Sequence, residues 1–190
     1  MFPLRFSTPP IWTETVLSNF DQFLIDHAAA EKKASGMALS MLSHYPDKID
    51  IVEAMVALSI EEMTHFREVI KVLHARGLIL AADSKDAYVN ALRQHMRKGT
   101  DVYLLDRLLI GSIVEARGCE RFGLVAEALP AGEMKQFYRA IAESEARHED
   151  LFLKLAHNHF IEKTIEQRMD QLLDVEARIV VKLPIMAALH

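Results

Sequence analysis

Hydrophobic residues recur every three or four positions along almost the whole chain after Trp12, which is the spacing of one face of an α-helix. Turn-forming residues interrupt this pattern at 45–47, 77–86, 99–101 and 129–132. The breaks predict four long helices, at about 18–44, 47–76, 100–129 and from 130 onwards, with Gly77 ending the second. A further amphipathic stretch at 162–183 predicts an accessory helix that ends before Pro184.

The stretch from 78 to 98 separates the second long helix from the third and predicts only a short helix, at 87–95. A connection of this length lets two consecutive helices run in the same direction, as ferritin-like bundles require. The predicted fold is therefore all-α: a ferritin-like four-helix bundle with a long crossover between helices two and three and an additional C-terminal helix. We predict one domain over 1–190, in which 1–11 form an N-terminal arm.

Each of the four predicted apolar faces is interrupted by glutamate, or by glutamate and histidine. The interrupting residues are Glu31, Glu62 and His65 in the first two helices, and Glu115, Glu145 and His148 in the last two. The lone glutamate precedes the Glu-x-x-His motif by 31 residues in the first pair and by 30 in the second. This repeat indicates two helical hairpins related by a pseudo-two-fold axis.

The residue types in this repeat are those of a metal site. Glutamate and histidine three residues apart lie on one helix face, so each Glu-x-x-His motif presents an oxygen and a nitrogen to one ion. Four carboxylates balance the charge of two ferrous ions, which lowers the cost of burying them. Ligands without thiolates favour iron or manganese over structural zinc. Because buried carboxylates are rare unless paired or metal-bound, the doubled motif predicts a two-iron, oxygen-activating site.

Several residues near the predicted ligands have simpler interpretations. Three further glutamates are expected to face solvent: Glu61, Glu143 and Glu149. Gly111 and Gly118 share a helix face with Glu115, where they serve either close helix packing or space for dioxygen or a substrate group. His27, one turn before Glu31, is interpreted as a buried core histidine, with a hydrogen bond to the metal ligand as the alternative.

Composition and charge describe the setting of such a site. The single Cys119 excludes a disulfide within the chain and a rubredoxin-type centre, and it favours a reducing compartment such as the cytoplasm. Residues 1–10 lack the apolar run of a secretory signal, and no segment is apolar enough to span a membrane. The net charge of -5 gives no general attraction for nucleic acid. Basic residues near the ligands, including Arg117 and Arg121, are expected on a solvated face, with a phosphate-binding rim as the alternative.

The residues flanking the predicted ligands form distinctive motifs, including Asp26-His27-x-x-x-Glu31-Lys-Lys and Glu115-Ala-Arg117-x-x-Glu-Arg121. Together with 59–66 and 143–148, they resemble the MiaE family of bacterial tRNA-(2-methylthio-isopentenyladenosine) hydroxylases, which are ferritin-like di-iron monooxygenases. The similarity runs from about residue 12 to about residue 179. It implies that the iron ligands are Glu31, Glu62, His65, Glu115, Glu145 and His148, all of which match the family pattern.

This resemblance implies hydroxylation of the isopentenyl side chain of a modified adenosine in tRNA, with two iron ions as cofactor and dioxygen as co-substrate. A separate reductase is expected, because the chain has no flavin, nicotinamide or iron–sulfur motif. The expected partners are therefore tRNA and the reductase, with no membrane and with a monomer or small oligomer favoured. The alternatives are a ferritin-like ferroxidase or iron-storage protein, another di-iron oxidase acting on a small substrate, and a structural bundle that binds no metal.

Overall fold

A computed structural model of the chain describes residues 2–190. In that range the backbone forms seven α-helices and no β-strand. The helices are α1 Pro10–Ser18, α2 Phe20–His44, α3 Ile49–Ala75, α4 Ala87–Arg93, α5 Thr100–Ala128, α6 Glu133–His159 and α7 Glu162–Lys182. The four long helices and the accessory helix predicted from the sequence correspond to α2, α3, α5, α6 and α7, and each end that was predicted for them agrees within three residues. The all-α prediction is confirmed.

The chain divides into two compact units. The first contains residues 14–84 and 186–189, and therefore α2 and α3; the second contains the described residues before 14, residues 85–185 and His190, and therefore α4 to α7. The prediction of a single domain over 1–190 stays a prediction. Met1, which belongs to the predicted N-terminal arm, lies outside the described residues.

In the first unit, α2 and α3 pack along each other as a helical hairpin. Each buries the face that its sequence pattern predicted, because apolar residues recur there once per turn; examples are Phe23 and Met41 in α2, and Met55 and Val69 in α3. The Ser35 hydroxyl donates a hydrogen bond to the Ser59 carbonyl at 2.9 Å and thereby fixes the register of the two helices.

The end of α3 is set by Gly77, as predicted. Gly77 has φ +73°, a left-handed conformation that glycine adopts without the steric penalty of a side chain. The Leu78 amide donates to the Leu73 carbonyl at 2.9 Å, and the Gly77 amide donates to the His74 carbonyl at 3.0 Å. These two bonds cap carbonyls of the last helical turn, where the helix itself supplies no further amides.

In the second unit, α5 and α6 form the other hairpin, and α7 packs on both of them. Because α4 also packs on α5, helix α5 is buried on most of its surface. Every residue of α5 from 104 to 113 is buried. The buried residues include Asp106, whose carboxylate accepts hydrogen bonds from Arg97 and Arg168 at 2.7 and 2.8 Å. These bonds tie residue 97, in the connection before α5, and α7 to the middle of the unit.

Two arginines expected at a solvated face are buried instead. Arg117 has no exposed surface, and its guanidinium donates to Glu176 on α7 at 2.7 and 2.9 Å. The hydroxyl of Tyr88 donates to the same carboxylate at 3.1 Å. Arg121 is also buried, with its guanidinium 5.0 Å from the ring centroid of Trp12. The prediction is wrong for both residues because α7 and the N-terminal segment cover this face of α5.

Part of the segment that was predicted as an N-terminal arm is helical. Helix α1 already begins at Pro10, a residue type that suits the first position of a helix because its missing N–H has no helical acceptor there. Before it, the amide and hydroxyl of Thr8 donate to the Glu120 carboxylate at 2.8 and 2.7 Å. Nine residues are too few to show a repeating apolar pattern, so the sequence did not predict α1. Among the described residues, no helix is long and apolar enough to cross a membrane.

Candidate metal centre

The hairpin of α2 and α3 brings together three of the predicted ligands. Glu31 lies in the middle of α2, and Glu62 and His65 lie one turn apart on α3. One ligand atom from each of the three lies within 4.8 Å of the others. Nδ1 of His65 is 3.5 Å from Oε2 of Glu62 and 3.7 Å from Oε2 of Glu31. Both carboxylates are buried, and the His65 side chain is 13% exposed.

His27 supports this first group of ligands from within α2. Its Nε2 lies 2.6 Å from Oε1 of Glu31, and its side chain is fully buried. A carboxylate accepts hydrogen bonds, so Nε2 of His27 carries the proton that it donates to Glu31. One oxygen of Glu31 is thus held by His27 while the other faces His65. The structure therefore favours the alternative that the sequence left open, in which His27 forms a hydrogen bond with a candidate metal ligand.

The charges of this group favour a cation. Burial raises the pKa of Glu31, but the hydrogen bond from His27 and the attraction of His65 outweigh it and leave the pKa below its ordinary value. Burial lowers the pKa of His65, but attraction to the carboxylates of Glu31 and Glu62 outweighs it and raises the pKa from 6.5 to about 10. Without metal, a proton on His65 supplies the positive charge. The same electrostatic attraction would act on a metal ion that replaced that proton.

The hairpin of α5 and α6 brings together the other three predicted ligands. Glu115 lies in the middle of α5, and Glu145 and His148 lie one turn apart on α6. One ligand atom from each lies within 4.8 Å of the others, and Nδ1 of His148 is 3.9 Å from Oε2 of Glu115. All three are buried. The Ser144 hydroxyl lies 3.5 Å from Nε2 of His148, on the side of the ring away from Nδ1.

The two glycines beside Glu115 have different surroundings. A Cβ at Gly111 would lie 2.9 Å from the ring of Phe152 on α6, closer than real side chains approach, so Gly111 serves close helix packing. A Cβ at Gly118 would lie 3.4 Å from Oε2 of Glu145. Any side chain longer than a methyl group at 118 would press on that carboxylate, so Gly118 keeps room beside a candidate ligand.

One glutamate that was expected to face solvent is buried in the hairpin of α5 and α6. Glu149 is 3% exposed, and burial raises its pKa. The prediction is wrong because Glu149 lies four residues after Glu145, on the helix face that α6 turns toward α5, and this spacing was the signal in the sequence. Glu143 is exposed as predicted, and Glu61 is half-buried.

The residues in both hairpins fit iron. Each group offers two carboxylates and one imidazole, which are oxygen and nitrogen donors that suit iron, and no thiolate. The carboxylates are buried where an unbalanced negative charge would be costly, and a bound cation removes that cost. The six residues predicted as ligands therefore form two sets of the same chemical composition, one in each hairpin.

Comparison with known proteins identifies a family that the chain matches. Residues 2–190 match the family described as tRNA-(MS2IO6A)-hydroxylase (MiaE). A Pseudomonas putida protein named tRNA 2-(methylsulfanyl)-N(6)-isopentenyladenosine(37) hydroxylase is 38% identical over 152 residues, which are 80% of this chain and 74% of that protein. A Salmonella typhimurium protein of the same name is 31% identical over 155 residues, 82% of this chain and 56% of that protein.

A solved structure also matches the whole fold. Protein 43 with aldehyde deformylating oxygenase activity from Synechococcus superposes with a TM-score of 0.94 at 30% identity, covering 100% of this chain and 96% of that one. This match confirms the predicted ferritin-like four-helix bundle.

Proposed function

We propose that this chain, which belongs to the MiaE family of tRNA hydroxylases, uses a di-iron centre to hydroxylate the isopentenyl group of 2-methylthio-isopentenyladenosine in tRNA. Family membership establishes the enzyme class and the reaction. The metal, its ligands, dioxygen as co-substrate and the electron supply belong to the proposal. A ferroxidase would use similar ligands, but both named relatives are hydroxylases.

The observation that carries the proposal is the repetition of one buried ligand set in two hairpins. In each set, two carboxylates and one imidazole offer ligand atoms within 4.8 Å of one another. Carboxylates are seldom buried at this density without a cation to balance them. We propose as iron ligands Glu31, Glu62, His65, Glu115, Glu145 and His148.

When bound, the two iron ions would supply the activation of dioxygen, with two electrons from outside, for insertion of one oxygen atom into a carbon–hydrogen bond. The residues of the chain prepare the setting. The four carboxylates balance the charge of two ferrous ions, and the bond from His27 holds Glu31 in one orientation. Leu58 and Phe152 are buried apolar side chains, each four residues from a proposed ligand on the same helix, and they would limit the access of water and side reactions.

The source of electrons is a separate reductase in this proposal. The chain contains no flavin, nicotinamide or iron–sulfur motif, and its one cysteine cannot build a rubredoxin-type centre. We expect the enzyme to act in the cytoplasm, where its proposed tRNA substrate is found.

Recognition of tRNA requires basic residues that reach the phosphate backbone, because the net charge of -5 provides no general attraction. Arg117 and Arg121 are excluded from that role by their burial. Lys32 is engaged by Asp83 at 2.6 Å. Exposed Arg93 and Lys98, in the connection between α3 and α5, remain available for phosphate contacts.

The function is tested by nucleoside mass spectrometry of tRNA incubated with the iron-loaded, reduced protein and dioxygen. We expect the methylthio-isopentenyl nucleoside to gain one oxygen atom, and tRNA lacking the isopentenyl group to stay unchanged. Glu143→Ala, which alters an exposed glutamate, is the control and should keep activity. No oxygen gain by a protein shown to hold two iron ions per chain would contradict the proposed substrate.

A further inference from the structure

One buried serine on α6 lies beside a proposed iron ligand. Ser144 is 1% exposed; it comes directly before Glu145 and one helical turn before His148. Its Oγ lies 3.5 Å from Nε2 of His148. A serine in a helix ordinarily bonds a backbone carbonyl of the same helix, as Ser43 and Ser59 do at 2.8 and 2.9 Å. Ser144 thus differs from an ordinary helical serine in contacting a side chain that is proposed to bind iron.

The two ring nitrogens of His148 have different surroundings. Nδ1 lies 3.9 Å from Oε2 of Glu115, within the group of proposed ligands, whereas Nε2 is the nitrogen beside Ser144. An imidazole nitrogen that binds a cation uses its lone pair, so the proton of a neutral, metal-bound histidine is on the other nitrogen. With iron at Nδ1, Nε2 therefore carries a hydrogen, and the Ser144 oxygen lies where it can accept it.

Arg147, which is exposed, contacts the same serine oxygen. Its Nη2 donates to Oγ of Ser144 at 3.0 Å, and its Nη1 donates to the backbone carbonyl of Glu143 at 3.1 Å. A guanidinium has donors only, so Oγ accepts this bond, and a hydroxyl oxygen can accept two. The second acceptor site remains for Nε2 of His148. Because the guanidinium is bound to its own helix at two points, it holds the hydroxyl of Ser144 in place.

We propose that Ser144 is a positioning residue that fixes the ring of His148 through Nε2, so that Nδ1 faces the iron, and that Arg147 acts through Ser144. This inference rests on the proposed function, because it takes His148 as an iron ligand. Rotation of the imidazole by half a turn about its bond to Cβ would put a carbon atom in the place of Nδ1. A hydrogen bond at Nε2 opposes that rotation, because the turned ring would also present a carbon to the serine oxygen.

The alternative role for Ser144 is to stabilise α6. A buried hydroxyl that bonds an arginine or the backbone contributes to folding and leaves a bound metal unaffected. The two roles predict different measurements, because a serine that positions a ring changes iron binding in one ligand set of a protein that is still folded. Ser35 provides the comparison: it is a buried serine of α2, and its hydroxyl bonds the Ser59 carbonyl, not a proposed ligand.

Iron titration of the full-length protein, followed by Mössbauer spectroscopy, tests the role of Ser144. We expect Ser144→Ala to lower iron affinity in the α5–α6 set about 10–100-fold, to change the quadrupole splitting of that iron, and to leave the α2–α3 set as in wild type. Ser144→Thr keeps the hydroxyl and should bind iron within about threefold of wild type. Ser35→Ala is the matched control and should keep both affinities. Circular dichroism would show that every variant keeps its helices.

Arg147→Leu tests the second part of the proposal. It removes a donor to Oγ and should weaken iron binding less than Ser144→Ala does, because the hydroxyl remains. In a protein that already carries Ser144→Ala, it should change the affinity by less than about twofold, since Arg147 acts through that hydroxyl.

Three results would overturn the proposal while leaving the proposed function intact. They are wild-type iron affinity in Ser144→Ala, a loss in Ser144→Thr as large as in Ser144→Ala, and effects of the Ser144 and Arg147 changes that simply multiply. A wild-type protein that binds no iron in the α5–α6 set would contradict the proposed ligands themselves, and this inference with them. A loss confined to that set, recovered by threonine, would support the proposal, because a serine that only stabilises α6 cannot produce it.

Discussion

The two hairpins repeat their candidate ligands but not the residues that support them. Four residues before the lone glutamate, α2 has His27 and α5 has Gly111. His27 bonds Glu31 at 2.6 Å, whereas Gly111 makes room for the ring of Phe152. The same helical position thus orients a candidate ligand in one hairpin and admits a neighbouring helix in the other. Two iron ions held by these ligands would have different surroundings despite identical ligand sets.

The hairpins also differ in how deeply their candidate ligands are buried. The α5–α6 hairpin is covered by α7, and its candidate ligand His148 is buried. The α2–α3 hairpin leaves apolar side chains such as Ile60 exposed, and its candidate ligand His65 is 13% exposed. A repeat that is nearly symmetric in sequence therefore supports one enclosed ligand set and one that is closer to solvent.

Removal of one carboxylate from each hairpin should have the largest effect. Glu62→Ala and Glu145→Ala are each expected to lose iron and to reduce hydroxylation to background, because three carboxylates no longer balance two ferrous ions. Iron per chain, measured by elemental analysis, and nucleoside mass spectrometry check both. The matched control is Glu143→Ala, an exposed glutamate on the same helix as Glu145. Full iron content in either variant would remove that hairpin from the metal site.

The support from His27 should be the next largest contribution. His27→Leu leaves Oε1 of Glu31 without its donor, and we expect iron affinity in the α2–α3 hairpin to fall about 10–100-fold. The second iron, which has glycine at the equivalent position, should bind as before. His27→Gln supplies an amide donor and should restore part of the affinity. Iron titration followed by Mössbauer spectroscopy distinguishes the sites, and equal losses at both would contradict the asymmetry.

The stability of the metal-free protein should fall in alkaline solution because of His65. Its pKa is raised to about 10 in the folded chain, while an unfolded histidine titrates near 6.5. The folded state binds the proton more tightly, so this stabilisation is complete below about pH 6.5 and is lost as the pH rises toward about 10. Urea unfolding across this range measures it. The decline should be smaller in His65→Gln, and an equal decline would assign it to other groups.

The clustering of the candidate ligands was predictable because a Glu-x-x-His motif follows a short-range rule. A Glu-x-x-His motif in phase with an apolar face needs only helix geometry to place both side chains on one side. The long helices were predictable for the same reason, since their apolar repeat spans many turns. The end of α3 at Gly77 was equally local, because one residue with positive φ sets it.

Contacts between segments distant in sequence were not predictable. Arg117 and Glu176 are 59 residues apart, and nothing in the repeat of α5 indicates that α7 covers its outer face. The same covering explains the burial of Arg121. The role of Gly111 also depends on Phe152 of another helix. Periodicity identifies the helix face that is apolar, but it does not identify polar residues that become buried through a specific partner.

The smallest predicted effect concerns the packing at Gly111. Gly111→Ala places a methyl group 2.9 Å from the Phe152 ring and should destabilise the protein by about 1–3 kcal/mol, because the ring must move in a packed interior. Gly123→Ala is the matched control on the same helix, where a Cβ meets nothing within 4 Å, and it should stabilise by up to about 1 kcal/mol. Chemical denaturation measures both. If Gly111→Ala is as stable as Gly123→Ala, the glycine is not needed for packing, and its role beside Glu115 is to keep space for a bound molecule.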